Sequence, residues 1–141
     1  MANVHDVAAY ILQQHGPMTA MKLQKLAYYS QAWSLVWDEE PLFPERIEAW
    51  ANGPVVFELY DRHRGIFRVS EWDGDATSLD ESQRGTVEGV LTVYGRMSSQ
   101  ELSNLTHQED PWKDARAGLG PGERGNREIT HAAMAEYYGS L

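Results

Sequence analysis

The sequence predicts a mainly α fold: a compact helical domain around one central buried helix, with room for a minor two-stranded ribbon. Three observations carry this. Residues 18–37, MTAMKLQKLAYYSQAWSLVW, contain neither Gly nor Pro and are mostly good helix formers. Leu23, Leu26, Ala27, Ser30, Trp33 and Trp37 fall at helical spacing on one face of this stretch, and Met21, Tyr28, Ala32 and Leu35 on a second, so neighbours must cover it from several sides. Helix-start residues (Asn3, Thr19, Asp80, Ser98, Asp110, Thr130) recur along the chain, whereas strand signals are few and short.

At 141 residues the chain is expected to form a single domain, 1–141, large enough for a substantial core. Hydrophobic residues at 42% and aromatics at 11% argue against disorder. No apolar run approaches the roughly 20 residues that span a bilayer, so no membrane partner is expected. The opening MANVHDVAAYIL carries Asp6 and no basic residue, unlike a secretory signal. Cysteine is absent, which excludes disulfides, thiol catalysis and cysteine-ligated zinc. The expected location is the cytoplasm. A net charge of −9 opposes direct nucleic-acid binding, which draws on a basic face. The charge is concentrated in the second half, net −7 over residues 71–141, which reads as a solvated acidic surface.

In chain order, Asn3 caps a first helix in which Val4, Val7, Ala8, Ile11 and Leu12 make one apolar face, with Asp6 favoured in its first turn. Gly16-Pro17 stops it near His15. Thr19 caps the central helix, which Asp38-Glu39-Glu40-Pro41 ends. Residues 46–50 alternate as a weak strand. Asn52-Gly53-Pro54 predicts a turn into a helix, with Pro54 at its first position, Val55, Leu59 and Arg62 on one face, and Gly65 ending it. Residues 66–69 predict a second short strand beside 46–50. Residues 70–79 form an acidic loop turning at Gly74. Asp80 caps a helix buried through Val87, Val90, Leu91 and Tyr94, in which Gly85 and Gly89 mark either a close approach or a soft spot. Ser98 with Glu101 is a capping box for a short helix bearing Leu102 and Leu105. Asp110 caps one further turn begun by Pro111. Residues 118–125 are a glycine-rich loop, and Thr130 caps the last helix, 131–138.

Little of this spells chemistry. His107 and Glu109 share the H-x-E spacing of zinc deaminases, but the P-C-x-x-C half is missing. The remaining histidines are scattered, so no metal and no cofactor are expected. No G-x-S-x-G elbow occurs, and Thr106 beside His107 in sequence does not orient one toward the other. Glu109 with Asp110, or Glu48 with Glu58, would serve as acid–base pairs only if folding brought them together. Residues 118–125 lack the G-K-[ST] of a phosphate loop. No catalytic residue is therefore assigned. Lys22 and Lys25, at the positive end of the central helix dipole, would either hold a partner's carboxylate or salt-bridge internally to the Glu39/Glu40 region or the C-terminal helix. Arg62, Arg64 and Arg68 form the one concentrated basic segment, suited to protein anchoring or to plain solvation. Trp33, Trp37, Trp50, Trp112 and the tyrosine pairs belong to the core or to an interface.

Three segments, MTAMKLQKLAYYSQAW (18–33), PLFPERIEAWANGPVVFELY (41–60) and LSNLTHQEDPWKDAR (102–116), together resemble the Panacea domain family, also called the SocA-like or phage-associated family. The matching residues are Lys22, Leu23, Gln24, Lys25, Leu26, Tyr28 and Tyr29; Glu48, Ala49, Trp50, Gly53, Pro54, Val55 and Val56; and Thr106, His107, Pro111 and Trp112. The first helix and the closing Tyr137-Tyr138 helix are similar to the family's ends. Phe57 departs from an expected proline and Ala27 from an expected leucine. The resemblance implies a mainly helical fold and an antitoxin of a toxin–antitoxin system that neutralises a cognate protein toxin by direct binding, with no enzymatic activity. It also implies one alternative, an adaptor delivering its partner to a cytoplasmic AAA+ protease; the residues themselves leave a second, an enzyme using His107 and Glu109. Some members carry an added DNA-binding domain, for which this chain has no room. The partner-contact candidates are Lys22, Lys25, Tyr29, Arg62, Arg64, Arg68, His107 and Trp112. Leu23, Gln24, Tyr28, Trp33, Trp50, Gly53, Pro54 and Pro111 are motif residues expected to be structural.

Overall fold

Thr19 starts the helix around which the chain folds: its hydroxyl accepts from the Lys22 amide, and eighteen residues of uninterrupted helix follow. A computed structural model describes residues 2–141. The elements in order are α1 (Val4–His15), β1 (Met18–Thr19), α2 (Ala20–Trp37), β2 (Ile47–Trp50), β3 (Gly53–Val56), α3 (Phe57–His63), β4 (Arg68–Val69), a 3-10 turn (Ala76–Ser78), α4 (Glu81–Tyr94), α5 (Ser99–His107), α6 (Asp110–Ala115), β5 (Glu128–Ile129) and α7 (His131–Gly139). The fold is mainly α with small antiparallel ribbons, as the patterning predicts.

Helix α2 is covered by α1, α4, α5 and α7 and by strand β3. That cover is why residues 23–32 are buried on every face. Its polar side chains are satisfied locally or turned to tertiary use. Ser30 Oγ donates back to Leu26 O (2.8 Å) and Ser34 Oγ to Glu40 O (2.7 Å). Gln31 accepts from the Leu42 and Phe43 amides (2.7 and 3.2 Å) and donates to Phe43 O (2.8 Å), tying down the chain that leaves α2. Two helical turns earlier, Gln24 accepts from Val56 N (2.8 Å) and donates to Val56 O (3.1 Å). Burying such amides unpaired would cost about 1–3 kcal/mol per lost partner. Trp37, at the end of the apolar stripe, is 50% exposed, so the stripe outruns the core by one residue.

The caps at Asn3, Asp80, Ser98 and Thr130 form as expected, the first three as full capping boxes. The glycine pair in α4 divides: a Cβ on Gly89 would meet the Trp37 ring at 3.3 Å, while Gly85 faces open space.

Three expectations are corrected. Residues 68–69 do not join 47–50; they pair with Met18–Thr19, and β2 lies instead between β3 and β5. Gly53-Pro54 does not open a helix. Gly53 adopts φ +123°, closing a tight reversal after Ala51-Asn52, so that 53–56 returns as a strand with Trp50 opposite Gly53, and α3 begins only at Phe57. Asp110 does not cap α6: Glu109 occupies that position without a capping bond, because its carboxyl is engaged elsewhere.

Candidate functional site

The three motif segments meet on α2. Tyr29 (α2) and Tyr138 (α7) both donate to Glu109 Oε1, at 2.6 and 2.7 Å, and the Tyr28 hydroxyl lies 3.0 Å from that of Tyr138. The Tyr29 ring stacks on Tyr94 at 4.1 Å, and Trp33 Nε1 donates to the Tyr94 hydroxyl (2.9 Å). Burial raises the pKa of Glu109, against the opposing pull of the two tyrosine hydrogen bonds. Burial likewise pushes the Tyr28, Tyr29 and Tyr138 hydroxyls up, so they remain donors. This is a satisfied polar hub inside an aromatic core.

His107 does not join it. Its Nδ1 lies 2.5 Å from Ser103 O and its Nε2 3.1 Å from Ala51 O, with the ring packed on Trp112 at 4.0 Å. No hydrogen bond links His107 to Glu109, so the pair required by the enzymatic alternative is not assembled. Trp112 Nε1 donates to Trp50 O (2.8 Å), and the buried Arg116 guanidinium binds Ala49 O (3.0 Å) and Glu123 O (2.6 Å). His107, Trp112 and Arg116 thus fasten the α5–α6 corner to the β2–β3 hairpin, and Arg116 also gathers in the 118–125 loop. Among the described residues no three His, Asp or Glu side chains converge as a metal cage would require.

Neither lysine makes the internal salt bridge that the sequence offered. Lys22 Nζ donates to Gly95 O (2.6 Å), and burial lowers its pKa against the opposing charge of Glu101. Lys25 is 1% exposed, and its Nζ has no hydrogen-bond partner. Burial alone lowers its pKa to about 8. Neither makes an ion pair. Gly53 is what lets Lys25 fit: a Cβ there would stand 2.6 Å from Lys25 Cε and 3.1 Å from Thr106 Oγ1. Lys25 and Tyr29, taken from the sequence as contact candidates, therefore lie inside the core. Their helix carries neighbours on every side, so neither side chain stands on an exposed face, although Lys25 helps to line the smaller cleft described below.

The outward-facing candidates cluster on α3 and the segment after it. Arg62, Arg64 and Arg68 are exposed, Arg62 holding Asp73 O (2.7 Å) and Arg64 pairing with Asp61 (2.8 Å) above the Tyr60 ring. Between them Ile66 is 51% and Phe67 81% exposed. An open cleft of about 920 Å³, bounded by Trp50, Phe57, Tyr60, Arg64 and Arg124, adjoins this segment. A second, of about 490 Å³, lies between Lys25, Asn52 and α5, and Met21 and Asn52 line both. Arg124 escapes the sequence reading; Ile66 and Phe67 fall within the basic segment and the strand predicted over 66–69, and their exposure sets them apart from both.

A family model described as antitoxin SocA-like, Panacea domain, matches residues 23–113. That span holds all three motifs except Lys22, while α1 and α7 lie outside it. No curated protein and no solved structure matches the chain.

Proposed function

This chain belongs to the SocA-like Panacea domain family of antitoxins, and on that premise we propose that it neutralises a cognate protein toxin by binding it directly, without catalysis. The observation that carries the reading is the exposed aromatic, aliphatic and arginine surface of α3 and residues 64–68, continuous with the cleft beside Trp50 and Tyr60. Arginine and large apolar side chains exposed side by side are the composition of binding hot spots. Arg62, Arg64 and Arg68 form the rim of this contact, Phe57 and Phe67 its centre, and Lys22 the flank near α5. Residues inside the core, Tyr28, Tyr29 and Glu109 among them, and the half-buried Trp112 act by holding that surface in shape. No helix among the described residues is long and apolar enough to cross a membrane.

The test is co-expression with the product of the adjacent gene, scoring growth and then complex formation. Rescue with a stable complex supports sequestration, and loss of rescue on deleting the cytoplasmic AAA+ protease replaces it with delivery for degradation. The double variant Phe67→Ala/Arg64→Ala should weaken the complex about tenfold or more if this is the contact face. A harmless neighbour that forms no complex defeats the reading.

A further inference from the structure

A protonated amine inside a protein ordinarily has carboxylates or carbonyls around it, because an unpaired buried ammonium is strongly disfavoured. Lys25 has none: no hydrogen bond reaches its Nζ, and no neighbouring charge offsets the burial that lowers its pKa. The fold nonetheless makes a place for it. Gly53, held at φ +123°, leaves out the one Cβ that would collide with the lysine stem. Leucine or methionine at position 25 would fill the same space without a charge.

The second observation is the cleft that Lys25 helps to line. Lys25 lines the cavity of about 490 Å³ together with Asn52, Ser99, Gln100, Ser103 and Asn104. Met21 and the His107 ring, whose nitrogens face Ser103 O and Ala51 O, complete the lining, and no carboxylate is among these walls. The cleft therefore supplies one latent positive charge beneath a ring of uncharged donors and acceptors. The lysine's flexible four-carbon stem allows Nζ to swing up into the cleft by rotamer change.

We propose that this cleft is a carboxylate-binding site, in which Lys25 pairs with one oxygen of an acidic side chain or chain terminus presented by the bound protein partner and the Asn52 and Ser99 side chains engage the other. This rests on the reading above that a protein docks on this side of the molecule. One ammonium matches one carboxylate charge. A phosphate dianion would leave a second charge unmatched among neutral walls, in a chain of net charge −9. The partner's carboxylate thereby gives the buried amine the charge-assisted hydrogen bond that the fold withholds.

The chain has three lysines, Lys22, Lys25 and Lys113, so ¹³Cε-lysine NMR of the intact protein resolves the question. Sodium acetate is the probe, acetamide its neutral counterpart and inorganic phosphate the competing anion. The Lys25 signal, assigned by its loss in Lys25→Met, should move saturably with acetate and stay still with acetamide. No saturable movement, or tighter binding of phosphate than of acetate, overturns the proposal. With the neighbouring gene product, Lys25→Met should bind at least about tenfold more weakly than the wild type while melting no lower. If the two bind within about threefold, the carboxylate does not come from the partner; the proposal then fails and sequestration stands. If neither binds, sequestration fails, and the acetate titration alone decides the cleft. A free peptide ending in a carboxylate, set against one bearing an internal glutamate and an amidated end, separates the two sources.

Discussion

Glu109 and Lys25 are both buried, both come from the family motifs, and receive opposite treatment. Glu109 is met by two tyrosine hydroxyls within 2.7 Å; Lys25 is met by nothing. The hub around Glu109 is closed: Tyr29 and Tyr138 both donate to its carboxyl, and the Tyr28 hydroxyl pairs with that of Tyr138. The lysine chamber is left one partner short, beside a cleft from which a partner can arrive. Interior polar groups that the fold satisfies hold the shape. One that the fold leaves wanting marks where something else is to bind.

The difference is open to attack from both sides. The largest effect should come from opening the closed hub: Tyr29→Phe combined with Tyr138→Phe leaves the Glu109 carboxyl without donors and should cost about 3–5 kcal/mol in urea unfolding at pH 7. The pH dependence follows from the raised pKa of Glu109, whose favourable contribution is full below the ordinary value of 4.5 and is lost as pH rises through the folded value. Without the tyrosine hydrogen bonds that hold the pKa down, the double variant should lose its stability to higher pH, and the deficit should shrink at pH 4. A uniform deficit from pH 4 to 8 would show that the hydroxyls matter only as packing.

Lys25 should behave in the reverse sense. Its folded pKa of about 8 lies below the ordinary 10.5, so the unfolded chain holds the extra proton between those values and stability should rise with pH across that window. Lys25→Met should raise stability at pH 7 by roughly 3 kcal/mol and abolish that rise. A loss of stability in Lys25→Met would mean that the amine has a partner after all.

Gly53→Ala should cost about 1–3 kcal/mol, through a side chain at positive φ and the collision with the Lys25 stem. Combining it with Lys25→Ala should recover the steric part of that cost in thermal melts. The smallest effect belongs to the surface: Phe67→Ala, at 81% exposure, should stay within about 0.5 kcal/mol of wild type. A larger change would place Phe67 in the packing instead of at the contact face.

What was legible in the sequence was local. Caps at Asn3, Thr19, Asp80, Ser98 and Thr130 act over three residues, and each could be read from its own neighbours. The burial of α2 was equally plain, since an all-round apolar helix has only one place to go. Partner choice between distant segments was not. Residues 68–69 found Met18–Thr19 instead of 47–50, and nothing in either dipeptide states its mate. Gly53-Pro54 carries the same letters for a helix start and for a hairpin return, and tertiary pairing decided it. Of the site, the motifs located the right residues but not their depth: helical periodicity treats lysine as a surface residue, so the burial of Lys25 went unread. A sharper inference was available, because Gln24, Lys25 and Gln31 sit in a helix apolar on all faces and were bound to be interior. Arg116 gave no warning; its three carbonyl partners are assembled only by the fold.

The clasp between Gln24 and Val56 reaches beyond the stability of one hairpin. Strand β3 borders its sheet, and its outward row of backbone groups is where a second copy of the chain would add a strand. Val56 presents its amide and carbonyl there, and the glutamine side chain already occupies both. Two residues earlier Pro54 has no amide hydrogen to offer. A glutamine from the central helix and a proline in the strand thus close that border against edge-to-edge pairing.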